Sequence, residues 1–457
     1  DPGRVEWLRQ GHGDVKQFDA IDFHERLRWR HCKLVHQFTP SPVFVFLEAI
    51  DKAMLAGEFG PATQRAMRLL QRYGEALGAA RFIDIASAHI DGCLYHGPSG
   101  LDFVRSFLGS NARVRVPASL NVMALDLVHP ERFDAPTKLA DDQRELLQGY
   151  LELGCEPTLT CAPYQRLPRP AFGEHVAWAE SNATVFVNSC LGARSDRYGD
   201  FTDLCAALTG RVPEAGLHRS ENRRARLLLR VPAPDACDLD RDLWFACLGY
   251  ALGEIAGDRV AVIDGAPRDC REDELKALGA AAASSGSVAL FHVLGVTPEA
   301  PSLDEVLDQK EAPREIVLTP GDLRRVAGRL CRAPQGEPVA AFCAGTPHFS
   351  LAEFRRLAAA VEGCRPAEGV DVLVSTSRAI AQQLETVPWA QPLWSFGVRL
   401  VVDTCTYLTP PVLAGDGWVV TPAAKWVHYA PGTIGRRAAL MSLERCVRCA
   451  ERGRIVP

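Results

Sequence analysis

The sequence predicts an α/β protein whose lobes contain largely parallel sheets, with a cleft between the lobes. Short apolar runs alternate along the chain with segments whose apolar residues recur at helical spacing, a rhythm typical of parallel sheets. Several of these runs end in polar residues, and open α/β sheets bind their ligands at the carboxyl ends of the strands. A length of 457 residues exceeds one ordinary core and indicates two or three lobes.

Composition is that of an ordinary globular protein and narrows the possible partners. Hydrophobic residues make up 47% of the chain and the net charge is −5, so no basic field indicates nucleic acid or an anionic membrane. No apolar run approaches the roughly 20 residues that span a bilayer, and no signal-peptide pattern opens the sequence, so we expect a cytoplasmic protein. The fifteen cysteines lack the dense spacing of a disulfide scaffold, which indicates a reducing compartment and thiols available to metal.

The first half of the chain is predicted to alternate helices with strands. The opening helix runs from Ala62, where apolar residues recur at helical spacing, and Gly78 suits its C-cap. Gly210 similarly suits the end of the last helix in this half. Between them we predict strands at Arg81–Ile90, Arg113–Asn121 and Ala183–Val187 and helices at Pro98–Gly109, Asp141–Leu153 and Gly199–Gly210.

The charged, proline-containing stretch His218–Asp240 is predicted to cross between two lobes, after which the α/β rhythm resumes. We therefore expect a first lobe over residues 42–230 and a second over residues 231–457. Ser350 and Glu353 form a capping-box pattern at the start of a helix that extends to Val361. Strands of the second lobe are predicted at Arg259–Ile263, Val288–Val293, Val339–Cys343, Val370–Val374 and Val398–Val402.

Residues 1–41 form an extension that is rich in charge and histidine and is bounded by the segment TPSPV, Thr39–Val43. A zinc site is one interpretation of its histidines and cysteine, but their spacing fits no common site. We therefore interpret the segment as a mobile or docking extension. The residues concerned are His24, His31, Cys32 and His36.

The stretch Glu180–His218 concentrates amides, arginines and carboxylates directly after the predicted strand Ala183–Val187. Arg194 and Arg197 could each bind a carboxylate, because a guanidinium fork forms two parallel hydrogen bonds with it. The stretch is therefore a candidate lining for a pocket that takes a small anion. An ordinary loop with a solvated charge cluster is the alternative interpretation.

Seven further motifs occur in one order along the chain. They are KAMLAGEFGPATQRAM (Lys52–Met67), SAHIDG (Ser87–Gly92), SLNVMALD (Ser119–Asp126), GTPHFS (Gly345–Ser350), STSRAI (Ser375–Ile380), VDTCTY (Val402–Tyr407) and AKWVHYAPG (Ala424–Gly432). Together with Glu180–His218, they resemble the catalytic subunit of aconitase X, the divergent branch of the aconitase superfamily. The resemblance implies aconitase-like lobes and a hydro-lyase that dehydrates a small hydroxylated carboxylate with the help of an iron–sulfur cluster.

Three cysteines best match the cluster positions of that family. They are Cys343, Cys405 and Cys446, with Cys449 as an alternative for the third because both lie in the helical segment CVRC. Some relatives carry the first cysteine directly before the Pro-His pair, where this chain has Thr346. That departure leaves the cluster type open between [2Fe–2S] and [4Fe–4S].

The resemblance also implies a set of substrate-binding residues at the polar strand ends. The set comprises Ser87, His89, Asn121, Asn188, Ser189, Arg194, Arg197, His348, Ser375, Ser377, Arg378 and Lys425. The family completes its site with a small swivelling domain that carries a serine as the base. No such domain is evident here, so we expect the base to come from a swivel domain or small subunit. Asp196, Asp200 and Glu214 lie beside arginines and are interpreted as orienting groups rather than bases.

Three functions follow as hypotheses. The form FCAGTPHFS, Phe342–Ser350, is similar to the bacterial branch of the family, which implies dehydration of cis-3-hydroxy-L-proline to 1-pyrroline-2-carboxylate. The archaeal branch implies mevalonate 5-phosphate as the substrate instead. A non-catalytic cluster-binding scaffold that lacks its swivel partner is the third hypothesis, although the preserved polar strand ends argue against it.

Overall fold

The structure is a computed structural model that describes residues 45–109, 111–308 and 312–457. The N-terminal extension, with its candidate zinc residues His24, His31, Cys32 and His36, lies outside the described residues. Within the described ranges, the helices are too short or too polar to cross a membrane.

The first part of the described chain contains a parallel sheet in the order β3-β2-β4 and an antiparallel pair formed by β1 and β5. Helices surround both sheets and bury one apolar cluster against them. The elements are α1 Ala49–Ala56, α2 Pro61–Leu77, β1 Phe82–Asp84, β2 Ala88–Ile90, α3 Pro98–Arg105, β3 Ala118–Leu120, α4 Thr137–Glu152, β4 Ala177–Trp178, α5 Ser181–Ser189, α6 Thr202–Thr209 and β5 Arg211–Pro213.

The middle part forms a second parallel sheet in the order β8-β7-β6-β9. Its elements are β6 Leu227–Arg230, α7 Arg241–Ala256, β7 Ala261–Asp264, α8 Glu272–Ser285, β8 Phe291–Val293, α9 Leu303–Val306, β9 Arg314–Val317 and α10 Pro320–Leu330. Helices α7 and α8 approach closely because Gly249 lies against the backbone of Leu278, where a side chain would not fit.

The last part forms a five-stranded parallel sheet in the order β12-β11-β10-β13-β14. Its central strand β10 is buried along its whole length, as expected for an apolar run covered on both faces. The elements are β10 Val339–Ala344, α11 Leu351–Ala360, β11 Asp371–Ser375, α12 Arg378–Thr386, α13 Gln391–Ser395, β12 Val398–Val401, β13 Trp418–Thr421, α14 Ala424–Thr433, β14 Ala438–Leu440 and α15 Leu443–Arg452.

The strand order of the five-stranded sheet reverses between β10 and β13, because the chain leaves β10 towards β11 and later returns to its other side. Open α/β sheets bind ligands in the crevice at such a switch point, beyond the carboxyl ends of the strands. An apolar cluster at this sheet also includes Val122 and Cys161 from the first part of the chain, next to Cys405 from the last part. The fold therefore brings distant segments together at one edge of the sheet.

Most of the predicted elements are present, and the α/β class with parallel sheets is confirmed. Helices α2 and α6 end at the predicted glycines, Gly78 and Gly210, both with left-handed backbones. The capping box of Ser350 and Glu353 opens α11. The division into two lobes at residue 230 stays a prediction.

Three predictions were wrong. Ala183–Val187 is not a strand but the middle of helix α5, and the whole helix from Asn182 to Ser189 is buried, so its sequence lacks the polar face that identifies a helix. The predicted strand Arg81–Ile90 is divided, because the chain turns between β1 and β2, which join different sheets. The stretch His218–Asp240 is more than a crossover, since it contains β6, an inner strand of the second sheet.

Candidate active site

A buried group of two thiols and one imidazole lies at the carboxyl edge of the five-stranded sheet. The ligand atoms of Cys161, His348 and Cys405 lie within 4.8 Å of one another. His348 follows β10 and Cys405 follows β12, while Cys161 comes from the segment after α4. Two parallel strands thus deliver two members of the group, and a loop from the first part of the chain delivers the third.

Hydrogen bonds within the protein orient the three side chains of this group. The two sulfur atoms are 4.0 Å apart, and the backbone N–H of His348 donates to Cys161 Sγ over 3.3 Å. The imidazole lies between Thr160 Oγ1 at 3.0 Å from Nδ1 and the Thr404 carbonyl at 3.2 Å from Nε2. The ring orientation is therefore set by two neighbours that flank the cysteines in sequence.

Electrostatics favour a thiolate at Cys405. The hydrogen bond with Cys161 lowers the pKa of the Cys405 thiol well below its usual value, burial opposes this, and His348 adds to the lowering. The thiolate is the form of cysteine that binds metal. The donor set of two sulfurs and an imidazole nitrogen fits iron–sulfur clusters, which are bound by cysteines and in some proteins also by histidines.

The loop that carries His348 depends on a glycine. Gly345 follows β10 with a φ of +87°, and a Cβ at this position would lie 2.0 Å from the Ser375 carbonyl oxygen. Only glycine tolerates both this backbone and this approach. The loop therefore passes directly over the end of β11 and turns the His348 ring towards Cys405.

A buried ion pair connects the group to the start of helix α5. Lys425 Nζ lies 2.6 Å from Glu180 Oε1, and both side chains are 6% exposed. Burial would raise the pKa of Glu180, but Lys425 outweighs it and the pKa is lowered. Glu180 also caps α5 by accepting from the Ala183 N–H, and Asn182 donates to the Cys161 carbonyl over 2.8 Å. The N-terminus of α5 is thus the end that faces the site.

A second polar cluster lies at the carboxyl ends of β2 and β3. His89 on β2 contacts Ser119 over 2.8 Å through Nδ1, and burial lowers its pKa to about 4, so the ring is neutral. Asn121 donates to the Asp91 carboxyl group. Burial, followed by Glu180 and Asp200, raises the pKa of Asp91 to about 7. His89 Nε2 and Asn121 Oδ1 have no hydrogen-bond partner among the described residues, so both remain available to a ligand.

The predicted residues at the ends of β11 and β12 lie at the carboxyl edge of the five-stranded sheet, like the Cys–His–Cys group. Arg378 forms two hydrogen bonds with Asp403, of 2.6 and 2.5 Å. Asp403 is buried with a left-handed φ of +65° two residues before Cys405. Ser375 Oγ is buried without a partner in the described structure, whereas Ser377 caps helix α12 through the Ile380 N–H.

The other predicted cluster cysteines lie apart from this group. Cys343 is on β10, inside the sheet, and burial raises the pKa of its thiol to about 12. Cys446 and Cys449 are on α15, in the core on the opposite flank of that sheet, where Cys449 contacts Met441. Cys343 shares an apolar cluster with Cys161 and Cys405, but the group of converging ligand atoms in the described chain contains none of Cys343, Cys446 and Cys449.

Several predicted substrate-binding residues have structural partners elsewhere. Asn188 bonds the carbonyls of Ser195 and Ala289, and Ser189 Oγ accepts from the Phe291 N–H, so both join α5 to its neighbours. Arg194 donates to the His218 carbonyl, and Arg197 lines a separate surface groove. Ser87 accepts from the Trp178 indole over 3.3 Å beside another groove. None of these contacts involves the Cys–His–Cys group.

Sequence reasoning missed three residues of the site. Cys161 is 244 residues from Cys405, and nothing in its local spacing marks it as a ligand. Asp91 lies inside the motif SAHIDG, and Glu180 opens the stretch that ends at His218. A search for acids directly after the apolar segments would have found these two.

The fold and the matches to known proteins are those of an aconitase-like hydro-lyase. Family profiles match three successive parts of the chain, described as Aconitase X first domain (residues 45–221), second domain (225–328) and third domain (339–452). The chain belongs to the aconitase X family. The buried Cys–His–Cys group is where this fold would hold a metal cluster.

Named relatives and a solved structure agree with this assignment. The chain is 41% identical to a cis-3-hydroxy-L-proline dehydratase of Pseudomonas aeruginosa over 89% of this chain and 70% of that protein. It is 36% identical to a phosphomevalonate dehydratase large subunit of Methanothermobacter thermautotrophicus over 86% of this chain and 95% of that subunit. The crystal structure of Thermococcus kodakaraensis aconitase X in its holo-form matches with a TM-score of 0.78 and 29% identity, over 89% of this chain and all of that one.

Proposed function

We propose that this chain is the catalytic part of an iron–sulfur hydro-lyase that dehydrates cis-3-hydroxy-L-proline to 1-pyrroline-2-carboxylate. The observation that carries the proposal is the higher identity to a dehydratase of that amino acid, 41% against 36% for a phosphomevalonate dehydratase large subunit. The buried Cys–His–Cys group supplies the matching chemistry. The fourteen described cysteines are all free, which fits a cytoplasmic enzyme.

The reaction removes a proton from the α-carbon and hydroxide from the neighbouring carbon, and the product enamine then tautomerises to the imine. Cys161, Cys405 and His348 would hold the cluster, in preference to the set with Cys343 and Cys446, because only the former group converges. An iron–sulfur cluster supplies a Lewis acid for the leaving hydroxyl. Visible absorption spectroscopy of the loaded protein would distinguish a [2Fe–2S] from a [4Fe–4S] cluster.

The chain's own polar groups would bind and orient the substrate. His89 is neutral and Asn121 has a free carbonyl oxygen, so both can form hydrogen bonds with a hydroxyl or an amine. Lys425 carries a positive charge, since Glu180 outweighs the effect of burial and raises its pKa. Lys425 can therefore attract the substrate carboxylate.

The base is expected from a swivel domain or small subunit. Glu214 is paired with Arg81 at 2.8 Å and Asp200 is exposed, while Asp196 packs against the turn at Gly216. In the described chain, none of these carboxylates contacts the Cys–His–Cys group. A docked hydroxyl group would supply the missing proton acceptor.

The test is a direct assay of the iron-loaded chain, alone and with an added swivel subunit, on cis-3-hydroxy-L-proline and on mevalonate 5-phosphate. With the swivel subunit added, we expect dehydration of the amino acid, detected as imine formation, and no dehydration of the phosphate ester. Turnover of mevalonate 5-phosphate alone would favour the second function, which the 95% coverage of the archaeal large subunit also supports. A bound cluster without turnover of either compound, with or without the subunit, would favour the scaffold.

A further inference from the structure

We propose that Lys276 is a positioning residue of the metal site, because its buried ammonium group holds the backbone of the loop that carries His348. Lys276 is on helix α8, in the middle part of the chain, and is 2% exposed. The inference rests on the proposed function, in which His348 helps to hold the cluster. It extends the site to a side chain that binds neither metal nor substrate but orients a ligand.

The ammonium group of Lys276 has a partner for each of its three N–H groups. It lies 3.0 Å from Asp273 Oδ1 on the same helix and also contacts Glu353 on α11. The third partner is the backbone carbonyl of His348, at 3.3 Å. An ammonium group has three donors and no acceptor, so the hydrogen bond to the loop completes its set of partners.

The backbone of His348 is held at both of its polar groups. Its N–H donates to Cys161 Sγ over 3.3 Å, and its carbonyl accepts from Gln165 Nε2 over 2.9 Å as well as from Lys276. Cys161 and Gln165 belong to one segment of the first part of the chain, whereas Lys276 belongs to the middle part. Lys276 is the charged member of these three partners, and hydrogen bonds from charged donors are the stronger ones.

The two acids that pair with Lys276 continue to the end of the same loop. Asp273 accepts from the Ser350 hydroxyl over 2.8 Å, and Glu353 accepts from the Ser350 N–H over 2.8 Å. Ser350 is the cap of α11. Lys276 and its two acids therefore hold the loop at His348 and at the point where the next helix begins.

Stability of the fold alone does not account for a lysine at this position. Helix α8 is otherwise rich in alanine, and a buried ion pair can often be replaced by apolar side chains without loss of stability. The hydrogen bond to the backbone of a metal ligand does account for it. Partners of this kind fix the orientation of the ligand, and their loss weakens metal binding.

Hydrogen exchange of the full chain, followed by mass spectrometry, tests the position of the loop without metal. The His348 amide is protected by its hydrogen bond to Cys161 Sγ. Lys276→Met removes the ammonium group and keeps an unbranched side chain. We expect exchange in peptides that cover Gly345–Ser350 to become at least about tenfold faster, because a charge-assisted hydrogen bond to the loop is lost.

Release of iron to a ferrous chelator tests the same variant in the loaded chain. We expect Lys276→Met to release iron at least about tenfold faster than the parent, since the partners of metal ligands typically change metal affinity by about 10–100-fold. Glu274→Gln is the matched control. Glu274 is on the same helix with a side chain only 2% exposed, but it pairs with Arg241 and Arg271. Its exchange and iron release should equal those of the parent.

A double variant separates positioning from folding stability. Lys276→Met alone leaves Asp273 and Glu353 without their cation, which destabilises the fold by itself. Adding Glu353→Gln removes one of these charges and keeps the capping box, in which Gln can replace Glu. We expect the melting temperature of the double variant to return towards that of the parent, while its loop exchange and iron release remain at least about tenfold faster.

The outcomes separate this inference from the proposed function. If the parent chain takes up no iron, the proposed function fails, and the role of Lys276 at a metal site fails with it. If the parent takes up iron but Lys276→Met matches it in loop exchange and iron release, only the inference is refuted. Parent-like exchange and iron release in the double variant would also refute it, because Lys276 would then act through stability alone. If Lys276→Met does not fold, the double variant takes its place in both comparisons.

Discussion

The site depends on charged residues that are tolerated inside the protein only through their partners. Lys425 and Glu180 are almost fully buried and compensate each other. Removing one partner of a buried pair leaves an uncompensated charge, which costs far more than the net stabilisation by the pair itself. The identity of such residues is therefore constrained even before catalysis is considered.

We expect Lys425→Met to destabilise the fold by about 3–5 kcal/mol, because Glu180 would remain buried and unpaired. Lys138→Met is the matched control, since Lys138 forms an exposed pair with Asp142 at 2.8 Å and should cost less than about 1 kcal/mol. Urea unfolding monitored by circular dichroism measures both. Equal shifts of the two midpoints would show that the Lys425 pair is no more important than a surface pair.

The raised pKa of Asp91 predicts a specific pH dependence of stability. Its pKa rises from 3.8 in the unfolded chain to about 7 in the folded protein. The folded state favours the protonated carboxyl group of Asp91. The contribution of Asp91 to the stability of the fold is therefore fully present below pH 3.8 and is lost as the pH rises through about 7. Asp91→Asn cannot ionise, and its melting temperature should rise relative to the parent protein between about pH 5 and pH 8.

Asp322→Asn is the control for that experiment. The hydrogen bonds from Thr319 lower the pKa of Asp322 to about 2. The stabilisation of the fold by the ionised Asp322 is therefore fully present above the pKa that this group has in the unfolded chain. The melting-temperature difference between this variant and the parent should stay constant between about pH 5 and pH 8. If the melting-temperature difference were also constant for Asp91→Asn, the pKa of Asp91 would not be raised in the folded protein.

At the scale of secondary structure, the N-caps of helices fix the loops that carry the functional residues. Ser350 caps α11 by accepting from the Glu353 N–H, and its hydroxyl also donates to Asp273 on α8 over 2.8 Å. The cap therefore fixes the end of the loop that begins at Gly345 and contains His348. Glu180 has the same role at α5.

We expect Ser350→Ala to cost about 2 kcal/mol, roughly 1 for the cap and 1 for the bond to Asp273. Thr319→Ala removes the cap of α10, which has the same capping box. Thr319 is exposed, and in the described structure its hydroxyl bonds Asp322 of the same helix. The Thr319→Ala substitution should cost only about 1 kcal/mol. Thermal unfolding compares the two variants, and equal losses would show that the contact between α11 and α8 contributes nothing.

At the scale of the whole molecule, periodic segments were predictable and long-range contacts were not. The amphipathic helix α2 and the apolar strand β10 carry their signals locally, and both lie where the sequence predicts them. Helix α5 does not, because burial on all sides removes its polar face. A run of buried residues can be either a strand or a helix, and only the packing around it decides.

The candidate site was predictable in part for the same reason. The resemblance identified His348, Cys405 and Lys425, which lie in short motifs at strand ends. His348 and Cys405 converge in the structure, and the positive charge of Lys425 helps to lower the pKa of the Cys405 thiol. Cys161 is 187 residues from His348 and approaches it only through the folding of two separate parts of the chain. Cys446 fits the family order but lies in a different apolar cluster, a difference that sequence spacing does not reveal.

The central claim is that Cys161, His348 and Cys405 bind the metal, and the iron content of two single variants tests it most directly. Cys161→Ser and Cys446→Ser each replace one fully buried thiol, so their effects on packing are comparable. After anaerobic loading, with circular dichroism as a check of folding, we predict that Cys161→Ser loses most of its iron and its visible absorbance while Cys446→Ser retains both. The opposite result, with Cys446→Ser depleted and Cys161→Ser fully loaded, would contradict the account.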